Sequence, residues 1–253
     1  MKPPHKRIWL LPVLVTLFTF QVFPANAQNR REKVQSDYKK NPLDANIIAS
    51  DTFMHRLLAE NSQYFSEILE KKEELGLQVI YTRIDRTKKN KPGFTDHYFG
   101  VNADKYFYPA STVKLPVAIL TLQRLNELNI AGLDKNSTMY TASAGERLTA
   151  VANDPSAQDG RPTVAHYIKK ILLVSDNDAY NRLYEFLGQE YINTSLQKMG
   201  YVHTKIIHRL SISLSEEENR LTNAVTFMDS NGKVLYNKPA ERSSYPREKQ
   251  LPV

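Results

Sequence analysis

The chain has 253 residues, 41% of them hydrophobic, with 34 lysines and arginines against 27 acidic residues, a formal charge of +7. It contains no cysteine, which excludes disulfides, thiolate catalysis and cysteine metal sites together. The basic excess is mild and scattered, so it points to solubility and an acidic envelope rather than to nucleic acid. The six histidines lack an HExxH context, so no metal and no other cofactor is expected.

Lys2, Lys6 and Arg7 precede an apolar run from Ile8 to Phe20, and Ala25-Asn26-Ala27 is a small-x-small cleavage site. Residues 1–27 are therefore expected to be a signal peptide cut before Gln28, which makes the mature protein exported, periplasmic or secreted. The run is short for a bilayer span, so no stable membrane segment should remain after cleavage; an uncleaved anchor is the alternative. Residues 28–50, with Arg30-Arg31 and Lys39-Lys40 and no apolar period, are expected to be a disordered basic arm.

One folded domain is expected over 51–238. Asp51-Thr52 can cap a helix in which Met54, Leu57, Leu58, Phe65, Ile68, Leu69 and Leu75 recur at helical spacing. It reads as one helix or two with a break near Asn61, stopped by Gly76. Residues 77–85 read as a strand, 88–93 as a turn and 97–101 as the return strand. A helix follows from Ser111 or Thr112 to about Leu128, with Pro116 in its first turns. Residues 136–161 form a long connection rich in Ser, Asn, Asp, Pro and Gly, a length that is usually functional or mobile.

Thr163 to Val174 is an apolar helix, Ala179 to Leu187 a second one stopped by Gly188, and Tyr191 to Met199 a third. Residues 224–236 read as a hairpin around Asn231-Gly232. The remainder, 239–253, is polar and is expected to be a disordered tail.

The chemistry gathers at Ser111-Thr112-Val113-Lys114, where a serine enters an apolar helix with a lysine one turn later. A serine hydroxyl needs a neighbouring base, and a lysine amine serves if burial lowers its pKa. A capping serine with a surface lysine is the bland alternative. Ser175-Asp176-Asn177 lies between two helices and offers a hydroxyl that both accepts and donates, beside a neutral amide that can orient an ammonium. Asp176 is better suited to the loop itself, since a carboxylate accepts backbone N–H bonds.

Ser-x-x-Lys together with Ser-Asp-Asn resembles the signature of class A β-lactamases and penicillin-binding proteins, over roughly Asp51 to Asn223. The resemblance implies an α/β (α+β) fold with a helical domain beside an antiparallel sheet. It also implies that Ser111 is the acylated nucleophile, Lys114 its proton acceptor or relay, Ser175 the shuttle to the leaving nitrogen, and Asn177 a partner of Lys114 and of substrate. The family's deacylating glutamate sits in Glu-x-x-Leu-Asn, which Glu218-Asn219-Arg220-Leu221-Thr222 matches except at its last position. Because Glu216, Glu217 and Glu218 are consecutive, a solvated acidic turn is the other reading of Glu218.

No Lys-Thr-Gly follows Asn223, so the three family strands that close the sheet and supply an oxyanion amide are expected to be missing. The expectation is a truncated and impaired enzyme with an open sheet edge. Its function reads as an exported active-site serine hydrolase of class A type, monomeric, acting on a small-molecule β-lactam or cell-wall peptide. A penicillin-binding D,D-peptidase and a non-catalytic envelope binding protein are the alternatives.

Overall fold

Asp51 caps helix α1 (Thr52–Glu60), its carboxylate accepting from the Met54 amide at 2.8 Å. After Asn61 breaks the run, α2 (Ser62–Glu70) continues it, so the expected break falls at the expected residue. The computed structural model describes residues 49–246 apart from Glu146; the expected signal peptide, nearly all of the arm and the last seven residues lie outside the described residues. The chain divides into two compact units between Lys105 and Tyr106.

The first unit lays α1 and α2 on a two-stranded antiparallel sheet, β1 (Val79–Arg86) and β2 (Pro92–Phe99). The return strand starts five residues earlier than expected. Every β1 residue has a partner, down to Arg86 opposite Pro92, and proline is tolerated at a strand's first position. One face of the hairpin, with Val79 and Phe99, joins Met54 and Leu58 in a small core. Ile80, Ile84 and Phe94, on the alternate positions, remain 52%, 55% and 53% exposed.

The second unit packs helices α3 (Lys114–Leu128), α4 (Val164–Val174) and α5 (Asn177–Lys198) around one apolar core that includes Val117, Leu120, Tyr167, Leu183 and Phe227. A single 3-10 turn, Ala110–Val113, leads into α3. The two helices expected on either side of Gly188 form one run with a kink at that residue, whose φ is +74°. That conformation suits glycine and strains any residue that carries a Cβ.

The long connection hides a strand the sequence did not reveal, β3 (Thr138–Thr141). Four residues are too few for a readable alternation, and its partner lies far along the chain. Beyond the five-residue helix α6 (Glu216–Arg220) come β4 (Leu221–Thr222), β5 (Val225–Met228), β6 (Val234–Lys238) and β7 (Glu241–Arg242). The order β3-β5-β6 makes an antiparallel sheet in which β5–β6 is the expected hairpin.

The expected disordered tail is corrected over 239–246. There β7 pairs with β4, Tyr245 is buried, and the Arg220 guanidinium donates to the carbonyls of Ser243 and Tyr245 at 3.2 and 2.7 Å. A buried arginine needs such acceptors, and the buried Lys238 ammonium takes the Glu241 carboxylate at 2.9 Å. Polar composition alone cannot show that two buried cations are waiting for those residues. Among the described residues no helix is long and apolar enough to cross a membrane, and no group of acidic, histidine or cysteine side chains could hold a metal.

Candidate active site

Ala110 adopts a left-handed φ of +45°, and the short turn after it delivers Ser111 one turn ahead of Lys114, the first residue of α3. The helix start is therefore two or three residues later than the sequence suggested, with a tighter turn in front of it. Lys114 is only 3% exposed. Its Nζ lies 3.0 Å from Ser111 Oγ, 2.9 Å from Ser175 Oγ and 2.6 Å from Asn177 Oδ1, and it also donates to the Ser175 carbonyl.

The α4–α5 junction is built to present those groups. Ser175 closes α4 in a left-handed conformation, φ +55°, with its amide bonded to the Ile171 carbonyl at 3.1 Å. Asp176 then caps α5 by accepting from the Ala179 amide at 2.8 Å, and it lies 3.5 Å from the Lys170 ammonium. As its chemistry suggested, it serves the junction. Asn177 becomes the first residue of α5, with its Oδ1 turned to Lys114 and its Nδ2 donating to Ser211 Oγ at 2.5 Å.

The hydrogen-bond inventory of Lys114 constrains its charge state. The Ser175 carbonyl and Asn177 Oδ1 only accept, so they claim two N–H groups whether the amine is charged or not. The third tetrahedral position faces the hydroxyls of Ser111 and Ser175, which can accept from an ammonium or donate to a neutral amine's lone pair. Burial holds the Lys114 pKa below the ordinary lysine value, opposed by the negative charge of Asp176. The arrangement can therefore exchange one proton among Ser111 Oγ, Lys114 Nζ and Ser175 Oγ without moving a backbone atom.

Glu218 is not part of this hydrogen-bonded group. Its carboxylate accepts from the Ser215 amide and hydroxyl at 2.7 and 2.8 Å and pairs with Arg147 at 3.4 Å, while Ser215 Oγ accepts from the Glu218 amide. This is a complete capping box for α6. The hydrogen bond from the Ser215 amide, with that of its hydroxyl, holds the Glu218 pKa below its ordinary value. Ser215-x-x-Glu218 was the signal in the sequence that announced it.

Other residues escaped the sequence reading. Asn177, Asn181 and Glu185 recur every four residues along one face of α5, which is a polar stripe on a buried helix. Asn181 grips Leu210 through both its amide and carbonyl, at 2.8 and 3.0 Å. Buried Glu185 pairs with Arg209 Nε at 3.0 Å and accepts from Asn223 at 3.1 Å. Burial raises its pKa in spite of the arginines beside it. Together these contacts hold the segment 208–211 against α5, and a cavity of about 270 Å³ opens there between Asn177, Thr149, Arg147 and Ser211. A larger cavity, about 350 Å³, is lined by none of the residues around Lys114.

The family model of the beta-lactamase enzyme family matches residues 63–239. No curated protein matches the chain. The mixture of helices with antiparallel sheet agrees with a β-lactamase-like α/β fold. The chain belongs to the beta-lactamase enzyme family, and so to hydrolases of the serine β-lactamase kind, which act on small-molecule substrates.

Proposed function

We propose that this family member is an exported active-site serine hydrolase of class A type, in which Ser111 is acylated by a β-lactam or a related cell-wall peptide. The observation that carries the reading is a lysine 3% exposed whose amine touches Ser111 Oγ, Ser175 Oγ and Asn177 Oδ1 within 3.0 Å. Lysines are seldom fully buried without a paired charge, whereas an amine that must take a hydroxyl proton needs a desolvated place beside that hydroxyl.

In this reading neutral Lys114 Nζ takes the Ser111 proton as Ser111 Oγ forms a bond to the acyl carbon. The tetrahedral adduct collapses by breaking the carbon–nitrogen bond. Its electron pair stays on nitrogen, which receives a proton from the Ser175 hydroxyl, and Ser175 recovers one from the Lys114 ammonium. Asn177 holds the amine on axis. Water then attacks the ester carbonyl, a proton returns to Ser111 Oγ, and the acid is released.

Release is where turnover is slow. Glu218 can serve as deacylating base only by leaving Ser215 and Arg147, and its lowered pKa makes it a weak proton acceptor. The same observation favours a penicillin-binding type of behaviour, fast to acylate and slow to release, as the second reading. Intact mass spectrometry after exposure to a penicillin tests both. A persistent one-to-one adduct that is lost in Ser111→Ala supports slow release, rapid hydrolysis with no adduct supports full lactamase activity, and neither adduct nor hydrolysis refutes the hydrolase.

A further inference from the structure

We propose that Ser211 is a positioning residue of the acylation site, its hydroxyl anchoring the Asn177 amide so that Oδ1 stays on Lys114. The amide is held at both ends: Nδ2 donates to Ser211 Oγ at 2.5 Å, while Oδ1 accepts from Lys114 Nζ at 2.6 Å. Rotation about the side chain would break both bonds and turn an NH2 group toward an amine that is already rich in donors. Of the two Nδ2 hydrogens, Ser211 engages one and leaves the second for the carbonyl oxygen of an acyl substrate.

The backbone supports the assignment independently. Five non-glycine residues have positive φ among the described residues, and three of them belong to the site: Ala110 precedes Ser111, Ser175 touches Lys114, and Ser211 bonds Asn177. Such strain tends to persist where the surrounding structure demands it for function. Glycine would adopt φ +54° at position 211 without a Cβ penalty, yet a serine stands there. The hydroxyl is delivered rigidly, because Asn181 pins Leu210 and the Tyr180 hydroxyl donates to the His208 carbonyl at 3.2 Å.

The inference deepens the hydrolase reading and rests on it only for the rate measurements. In Ser211→Ala and Ser211→Gly the first-order rate of Ser111 acylation by a penicillin should fall about tenfold to a hundredfold, the size of one lost hydrogen bond beside a charge, with the apparent binding constant little changed. Ser211→Asn tolerates left-handed φ and carries an acceptor, so it should restore most of the rate. Ser211→Gly should melt no lower than the parent, which separates a lost hydroxyl from a damaged fold.

Lys114 provides a readout that needs no substrate. Its ammonium donates to Asn177 Oδ1, so a loosened amide favours the neutral amine. The lysine titration, followed by carbon-13 NMR, should then move to lower pH in Ala and Gly and return in Asn. The other groups facing the amine, Ser111, Ser175 and Asp176 with its Lys170 partner, are the same in all variants. Parental acylation rates and an unmoved titration in both Ala and Gly would overturn the proposal. If the parent is never acylated, the hydrolase reading falls, and the lysine titration alone still decides the role of Ser211.

Discussion

The two units of this chain solve the problem of burial very differently. In the first, the buried cluster consists of Met54, Leu58 and Phe99, and one face of a two-stranded hairpin leaves Ile80, Ile84 and Phe94 about half exposed. In the second, 21 buried apolar residues form one cluster spanning α3, α4, α5 and the β3-β5-β6 sheet. A hairpin alone is marginal in water, so the first unit depends on its few contacts with α1 and α2. The second has apolar burial to spare, and there the chain places its expensive features: a buried lysine at 114, a buried glutamate at 185, and left-handed serines at 175 and 211. Buried charge gathers where packing can offset it.

The sharpest way to break that contrast is Lys114→Ala, which leaves the core intact and removes the amine. Acylation of Ser111 should fall about a hundredfold to ten-thousandfold, the usual range for a positioned general base. Measured against pH, acylation by the parent should rise as the amine loses its proton and level off below the ordinary lysine range, because the lysine pKa is lowered. A profile that climbs through the ordinary lysine range without levelling would deny Lys114 its role.

Core truncation gives the next largest effect. Leu183→Ala, at a fully buried position of α5, should destabilise the second unit by about 2–5 kcal/mol. Ile84→Thr on the exposed hairpin face should change stability by less than about 0.5 kcal/mol, and should reduce aggregation by breaking an apolar edge. Chemical denaturation and light scattering check the pair; equal losses in both variants would erase the distinction between the units.

Arg220→Met should release residues 239–246 while sparing the helices, since it removes the donors to Ser243 and Tyr245. Faster proteolysis near β7, with an otherwise unchanged digestion pattern, is the expected result. Smallest of all is Glu218→Gln, which keeps a capping-box side chain. Its stability should move by less than about 0.5 kcal/mol, and the rate of adduct release, followed by intact mass, should stay near the parent's, because the parent's carboxylate is held in its cap.

Local pattern was enough for much of the fold. Asp51 as a cap, the break at Asn61, the hairpin around Asn231-Gly232 and the interruption at Gly188 are all dictated within a few residues, by side chains that bond their own backbone or by glycine's freedom at positive φ. The Ser111–Lys114 spacing is likewise a one-turn property. The short strand β3 was not legible, because four residues pair with a strand more than eighty positions away. The ordered start of the expected tail was not legible either, because its partners Arg220 and Lys238 are recognisable only once they are buried.

From the sequence alone come the candidate residue types, their order and their helical phase: Ser111 with Lys114, then Ser175 with Asn177 at a helix junction. Tertiary structure alone decides that these four meet, that Ser211 joins them, and that Glu218 spends its carboxylate on a cap. The reason is physical. Periodicity and capping act over one turn of chain, whereas desolvation of an amine and the direction of its hydrogen bonds depend on which distant segments happen to be packed around it.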